Sequence, residues 1–598
     1  MVDSEGEQDA PTRADAVAPA GDHAGRPPGP RPGIARLLWG PDRPATDEIA
    51  AGRARATVGV LAVLVVFLAA GALHAYATPP FAPPDETAHV AYALALAEGE
   101  IPRIDEFPED LPIPGMPEGL SIWTANHPPG SYAILSLPLR IGIAQGDPLD
   151  GFWWARLTNV AAAGLALVLV GRIAATVLPH RPRVVVGATA LAGLWPYSVQ
   201  VAGTAYTDGI ALAGTMSLTC AAVAVLCRGP SRWRLLGLVV LSAVAALMRA
   251  PSAVMVVLAG LAWGVANLVH GRNGLARRWL RGIGGGLLIG AAAAAAAGWF
   301  YLHNLDVYGD PTGSAALFEL HLREPRGEFA DILFRAHDYR FHVYQLWNRY
   351  EGLPPLPRSL MPPDTILAVY RAVGLALIGA VVAGTHRVVA SIPALATRAR
   401  VRPRALDGGR VAAWTLLITW WAALFAMMIQ FVSGGGAPHA RYLWPGAAGF
   451  GLVLAVGAEV IRMPRIEPPA GIRRWRDQAI PSVPIALPLA VAGLLWGNAD
   501  TWLRYLELAG LRSGPDLPSA ATAVLADAGF AAPGWLGLLA CAAAVVGSAV
   551  VLWSIATTPS HVDVDEAPPL GASTWSGPLV ERRRAPRPAV VGVGSEVG

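Results

Sequence analysis

Apolar runs, many of them near the length that crosses a lipid bilayer, alternate along this chain with clusters of arginine. That alternation constrains the fold more than any other feature. The hydrocarbon core of a membrane is about 30 Å thick, so a helix needs roughly 20 apolar residues to cross it. Runs of suitable character lie near residues 58–76, 153–178, 184–204, 208–227, 235–248, 252–269, 283–302, 364–384, 411–432, 442–461, 480–497 and 534–556. A chain of 598 residues that is 54% hydrophobic and only 15% charged cannot be a string of soluble domains. The expectation is an all-α polytopic membrane protein, a bundle of about twelve transmembrane helices.

Sidedness follows from one ambiguous segment. Residues 131–144 are apolar, but they contain Pro138 and Arg140 and reach only about 21 Å as a helix. Read as an interfacial helix, the segment places His180, Arg181 and Arg183 on the cytoplasmic side. The turns holding Arg228, Arg232 and Arg234, and Arg272, Arg277, Arg278 and Arg281, then fall on that side too. So do the later clusters between Arg387 and Arg410 and between Arg462 and Arg476. Read as a span, it would put every cluster outside, against the positive-inside bias. The interfacial reading therefore stands, with both termini cytoplasmic in a bacterial cytoplasmic membrane. Residues 1–55 read as a disordered cytoplasmic arm and 557–598 as a disordered tail, flanking a membrane domain of 56–556. The first apolar run starts near Val58, so no cleavable signal peptide is expected. The basic residues are all arginine, which with abundant Ala, Gly and Pro points to a GC-rich genome. Cys220, Cys227 and Cys541 have no spacing that suggests zinc or a disulfide framework.

Two extracytoplasmic loops are large, 77–152 and 303–363, and the first is acidic. Long loops are uncommon without a task. The first opens on Phe81-Ala-Pro-Pro-Asp-Glu-Thr-Ala-His89. Prolines suit a helix start, and Asp85 and Glu86 then fall in a first turn where the helix dipole favours negative charge. His89 follows at i,i+4 and i,i+3 and shares their face. Two carboxylates and an imidazole at a membrane mouth suit general-base or metal chemistry, with Glu86 and His89 the candidate ligands. A self-capping acidic turn is the plain alternative. Further on, Asn126-His-Pro-Pro-Gly-Ser-Tyr132 places His127 near the same side, as a cavity residue or as part of a rigid turn.

Later outer turns add to the set. Asp208 in Tyr206-Thr-Asp-Gly209 either positions a ligand or caps the next helix. Arg249 and Arg441 are basic on the outer side of a positive-inside chain, and each either grips a lipid phosphate or snorkels to headgroups. His303 and Asn304 precede a Gly309-Asp-Pro-Thr-Gly313 turn, and His439 and Tyr442 flank Arg441 at another helix mouth.

In their order these motifs resemble the GT-C superfamily of polyprenyl-phosphate-sugar-dependent glycosyltransferases. The matching residues are Pro-Pro-Asp85-Glu86 with His89, then His127-Pro-Pro-Gly-Ser-Tyr132, then Ala155-Arg-Leu-Thr-Asn159 and Thr207-Asp208-Gly209. His303-Asn304 with Tyr308-Gly-Asp-Pro, and Ala440-Arg-Tyr-Leu-Trp-Pro445, complete the series. His303 stands where many members carry arginine, and no large soluble domain follows the last span. The resemblance implies a GT-C-like bundle and inverting transfer of a hexosyl or pentosyl group from a polyprenyl-phosphate donor. The acceptor would be an envelope glycan, lipid or protein outside the membrane, and nucleic acid has no part. It further implies that Asp85 is the general base and that Glu86 positions the acceptor or a divalent metal. Arg249 or Arg441 would neutralise the leaving phosphate, and His89, His127, Asp208, Asn304, His439 and Tyr442 would line the substrate site. Two other classes remain open: a transporter or flippase of a lipid-linked sugar, and a non-catalytic envelope scaffold.

Overall fold

The computed structural model describes residues 34–39, 47–78, 80–83, 85–109, 111–334, 363–399, 406–437, 439–461, 485–508 and 535–560, and these residues build helices with no strand among them. In chain order the first are α1 (Ile34–Trp39), α2 (Asp47–Ala77), α3 (Glu86–Glu98), α4 (Gly130–Ala144), α5 (Pro148–Val177), α6 (Pro182–Gly193) and α7 (Pro196–Ala202). Then come α8 (Asp208–Arg228), α9 (Arg232–Met248), α10 (Ser252–His270), α11 (Leu275–Tyr308), α12 (Ser314–Leu320) and α13 (Phe329–Phe334). The rest are α14 (Pro363–Ser391), α15 (Pro393–Arg398), α16 (Gly408–Ser433), the 3₁₀ turn η1 (Ala440–Gly446), α17 (Ala447–Val460), α18 (Ala486–Leu508) and α19 (Trp535–Thr557). Their starts carry ordinary signals. Pro148, Pro182 and Pro196 each open a helix, where a missing amide hydrogen costs nothing. The carboxylate of Asp407 accepts from the amides of Gly409 and Arg410, and Ser231 accepts from Arg234.

Among the described residues nine helices are long and apolar enough to cross a membrane, which makes the chain a multi-pass membrane protein. Three expected spans take a different form. The run 184–204 is not one helix but α6 and α7, bent by 65° across Leu194 and Trp195. Pro196 is the cause: its ring disfavours helical backbone in the residue before it, and Trp195 is extended at φ −68 and ψ 129. Helix α9 has 17 residues, about 25 Å of length at the helical rise. Helix α18 starts at Ala486 and runs on to Leu508, beyond the expected end at 497. The segment 130–144 is a helix of 15 residues with Pro138 inside it, short as expected.

The expected disordered arm is in part ordered. Residues 34–39 and 47–55 are helical, because Leu38 and Trp39 find apolar partners and are buried. The Trp39 indole donates to Thr57 Oγ1 at 3.1 Å, and the Arg53 guanidinium lies 5.2 Å over its ring. Residues 1–33, most of the expected tail and the 335–362 part of the second outer loop lie outside the described residues.

The bundle packs α5 on α8, α10 and α9 on α11, α17 on α6 and α14, and α19 on α2 around one apolar core. Gly457 lets α14 approach α17 at backbone distance; a Cβ there would stand 1.7 Å from the Ala376 carbonyl oxygen. A second, smaller core of Phe81, Tyr92, Tyr132, Phe152 and Trp153, with Ile104 and Ile113, fastens the first loop to α3, α4 and α5. Following helix directions, the ends of α2, α9 and α11 meet the starts of α3, α5, α8 and η1 at one end of the bundle. At the other end lie Arg183, Arg228, Arg234 and Arg410. The candidate site lies at the first.

Candidate active site

Helix α3 begins at Glu86, so Asp85 sits at the N-cap position with helical backbone, φ −91 and ψ −8. Its carboxylate makes no cap bond and turns away from the helix to accept a hydrogen bond from the Arg441 guanidinium. Asp208 opens α8 and accepts from Arg249, which ends α9 in extended backbone. Arg441 Nη1 stands 3.9 Å from the second carboxylate oxygen of Asp208 and joins the two pairs. Four charges from four helix ends thus form one neutral network. Its exposure is uneven: the Asp85 side chain is 24% exposed, Arg441 5% and Asp208 2%, so Asp85 is the member that meets the aqueous side.

Tyr206 is the floor of this network. It is buried, its ring lies 4.9 Å beneath the Arg441 guanidinium, and its hydroxyl receives the Asp85 backbone amide at 3.4 Å. Its other edge packs against the His89 ring at 5.0 Å. His89 Nδ1 and the Tyr132 hydroxyl share a hydrogen bond of 2.9 Å. Burial pushes the His89 imidazole down to about 4, and His127 is pushed down to about 3 by burial first and by nearby Arg249 next. Both rings are therefore neutral near pH 7, and protonating either would add charge beside two arginines.

Glu86 differs from the expectation. It is fully buried in a two-point ion pair with Arg156, Nε to Oε1 at 2.8 Å and Nη2 to Oε2 at 2.5 Å. The same two oxygens accept the amides of Ala205 and Phe81 at 2.6 and 3.0 Å. Arg156 also donates to the carbonyls of Ala75 and Thr78, and its guanidinium stacks 4.7 Å over Phe152. All four acceptor directions of Glu86 are spent on the framework. Glu86 and His89 do not form the expected metal pair, and among the described residues no three His, Cys, Asp or Glu side chains converge on one point.

Three other expected residues play framework parts. Asn304 is fully buried and ties the Asn126 and Pro311 carbonyls together, at 3.4 and 3.2 Å, while Asn126 in turn donates to Thr312. It joins the two outer loops. His439 is buried edge-on to Tyr442 at 5.5 Å, and Tyr442 flanks Arg441 with its ring 5.8 Å from the guanidinium. Asn159 closes the Ala155-Arg-Leu-Thr-Asn159 motif, to which the sequence assigned no role. Its side-chain amide donates to the carbonyls of Val201, Ala202 and Thr204, and its oxygen accepts from Gly209 and Ile210. That one side chain holds the turn that presents Asp208.

Beside Arg441 lies a small apolar cleft, lined by Trp195, Tyr197, Trp421, Leu443, Trp444 and Phe450. The break between α6 and α7 forms part of its wall. Its lining is aromatic and apolar, with the Arg441 guanidinium as its charged member.

No protein-family model matches the chain, and no curated protein matches it in sequence. Solved structures do show likeness. ArnT from Cupriavidus metallidurans, determined bound to undecaprenyl phosphate, is 15% identical, with 84% of this chain and 75% of that one covered and a TM-score of 0.36. The Archaeoglobus fulgidus oligosaccharyltransferase in its apo form is 11% identical, with 84% of this chain and 56% of that one covered and a TM-score of 0.34.

Proposed function

We propose that the protein is an inverting glycosyltransferase that moves a sugar from a polyprenyl-phosphate donor to an envelope acceptor on the outer face of the cytoplasmic membrane. One observation carries the reading: Arg441 closes the aromatic groove on one side and holds the partly exposed carboxylate of Asp85 on the other. The ordered motifs from Asp85 to Pro445 support it independently. In this reading the donor's polyprenyl chain lies in the groove with its phosphate at Arg441, and the acceptor hydroxyl approaches Asp85 from the aqueous side. The Asp85 carboxylate takes the hydroxyl proton, and the oxygen forms its bond to the anomeric carbon. The bond from that carbon to the phosphate oxygen breaks, and polyprenyl phosphate leaves with the electron pair. Arg441 neutralises the charge that develops on that oxygen. Arg249 pairs with Asp208 and fixes it, which sets Arg441 between two carboxylates.

The test is sugar transfer in membranes from a panel of radiolabelled polyprenyl-phosphate sugars, with wild type beside Asp85→Asn. The substitution keeps the shape and removes the base, and transfer falls by roughly 10²- to 10⁴-fold, the range of general-base catalysis. Equal transfer by both proteins removes Asp85 from the chemistry. The break between α6 and α7 favours a second reading, a flippase for a lipid-linked sugar, because transporters build their sites at interrupted helices. Movement of the intact donor across the membrane, unaffected by Asp85→Asn and with no transfer from any donor, would replace the first reading with the second.

A further inference from the structure

We propose that Trp123 and His321 form a platform for a pyranose ring of the acceptor, so that the acceptor is a glycan. This inference rests on the transferase reading and names its second substrate. The two rings come from different outer loops and meet edge to face, with centroids 5.8 Å apart and planes at 73°. Both side chains are half-buried, so each keeps a surface for a ligand. Among the described residues, neither the Trp123 indole nitrogen nor a ring nitrogen of His321 has a hydrogen-bond partner. A pyranose ring has an apolar C–H face and a rim of hydroxyls. An aromatic face covers the first, and the unpaired indole N–H and imidazole edge meet the second. An acyl chain would use the rings and leave both polar edges idle.

Both rings are fastened beside the site. The residue after Trp123, Thr124, donates its hydroxyl to the Ala88 carbonyl at 3.0 Å, which pins Trp123 to the first turn of α3, just past Asp85. His321 follows α12, and α12 leans on the opposite side of the network. Its Phe318 packs 5.5 Å from Phe431, and Phe431 packs 5.6 Å from Tyr442, the neighbour of Arg441. Two bonds of 2.9 Å hold the segment at either end, from Asn126 to the Thr312 carbonyl and from the Arg326 amide to the Ser433 carbonyl. The second loop therefore reaches from the mouth of α3 to the mouth of η1, with the His321 ring against the first loop. Burial and nearby Arg323 lower the His321 imidazole below its ordinary value, and Asp85 opposes them, so the ring lies within reach of the Asp85 charge. Neutral near pH 7, it offers a hydroxyl rim one donor and one acceptor. A contact made only to join two loops would not need to stand at the aqueous approach to Asp85 with its polar edges unpaired.

Two readouts separate the platform from the reading it rests on. In the first, the purified full-length protein in lipid nanodiscs is mixed with cellotriose, maltotriose, mannotriose or galactotriose, and binding is followed by saturation-transfer NMR. At least one trisaccharide should bind, and Trp123→Ala should weaken it about tenfold, as loss of a central aromatic contact does. Trp233→Ala removes an exposed indole at the other end of the bundle and should change nothing. His321→Ala, at a half-buried loop position, should show the loss too if Trp123→Ala proves unstable. No trisaccharide signal, or an equal signal from wild type and both platform variants, overturns the platform. The second readout is the product of transfer in membranes given labelled donor. The label should enter material that withstands protease and organic-solvent extraction, as a glycan does, and Trp123→Ala should lower its yield with the donor KM unchanged. Label in protein or extractable lipid, formed equally by Trp123→Ala, overturns the platform and leaves the transferase reading standing. Trisaccharides bound through Trp123 with no transfer from any donor end the transferase reading and leave a sugar site without that reaction.

Discussion

Adjacent carboxylates, Asp85 and Glu86, end in opposite surroundings, and the difference sets their roles. Asp85 is partly exposed beside the Arg441 guanidinium; Glu86 is fully enclosed with Arg156 and two amides. Breaking a buried pair leaves one charge without compensation, at a cost of about 3–5 kcal/mol. Arg156→Met is therefore expected to lower the thermal midpoint of the detergent-solubilised protein markedly. Arg156→Lys should not restore it, because an ammonium cannot reproduce the two-point fork. Arg103→Ala breaks a pair whose side chains are 52% and 59% exposed, and such pairs contribute at most about 1 kcal/mol, so that variant should melt like wild type. The histidines add a pH dependence. The folded His89 is pushed from its ordinary 6.5 down to about 4, mainly by burial, with Asp85 and Asp208 opposing and Arg441 and Arg249 adding to the fall. The unfolded chain takes up that proton first. Stability is then complete above about 6.5 and declines as pH falls toward 4. A melting series across that window should show the decline, and His89→Gln should reduce it, leaving the part that belongs to the other buried histidines, His127 among them. An unchanged slope in His89→Gln would mean that the ring is protonated in the folded protein.

At the scale of helices and turns, the charges at helix mouths were legible and their partners were not. Asp85, Asp208, Arg249 and Arg441 stand out in the sequence because ionised residues at outer span ends break the local trend. The pairing of Asp85 with Arg441 joins positions 356 apart, and nothing local encodes it. The partner of Glu86 was hidden for the same reason: its i,i+3 spacing to His89 shows a shared face, but Arg156 comes from another helix. The interruption after α6 was written in Pro196 and masked by the apolar residues around it. Asn159 was visible only as the end of a motif with no stated role, yet it makes five bonds to the turn before α8 and its first residues. Asn159→Leu removes all of them and leaves buried backbone groups unpaired, each at about 1–3 kcal/mol. Gly209→Ala strikes the same joint from the other side, since its Cβ would stand 2.3 Å from the Asn159 carbonyl oxygen. Both variants should lose transfer while a control in the same helix, Ser217→Ala, keeps it. Full transfer by Asn159→Leu would show that Asp208 does not depend on that turn.

For the whole molecule, the strongest claim is that the bundle has two chemically different ends. The end with the Asp85 network also holds the first loop, whose surface carries Asp105, Glu106 and Glu118, while the opposite end gathers Arg183, Arg228, Arg232, Arg234, Arg272 and Arg277. Anionic lipid and the insertion machinery retain arginine-rich turns in the cytoplasm, so this distribution predicts a bundle oriented with Asp85 outward. The predicted orientation matters to the proposed function, which needs the acceptor side of the site in the envelope and a donor delivered by a separate step of lipid translocation. Two single cysteines decide it. Gln145 is exposed at the end of α4, beside the start of α5, and Arg272 is exposed where α10 meets α11. In a background with Cys220, Cys227 and Cys541 replaced by alanine, intact cells are treated with a membrane-impermeant maleimide. Gln145→Cys should label at once, and Arg272→Cys should label only after the cells are opened. The reverse pattern would turn the bundle over, place Asp85 in the cytoplasm, and exclude an envelope acceptor for the chemistry proposed at Asp85.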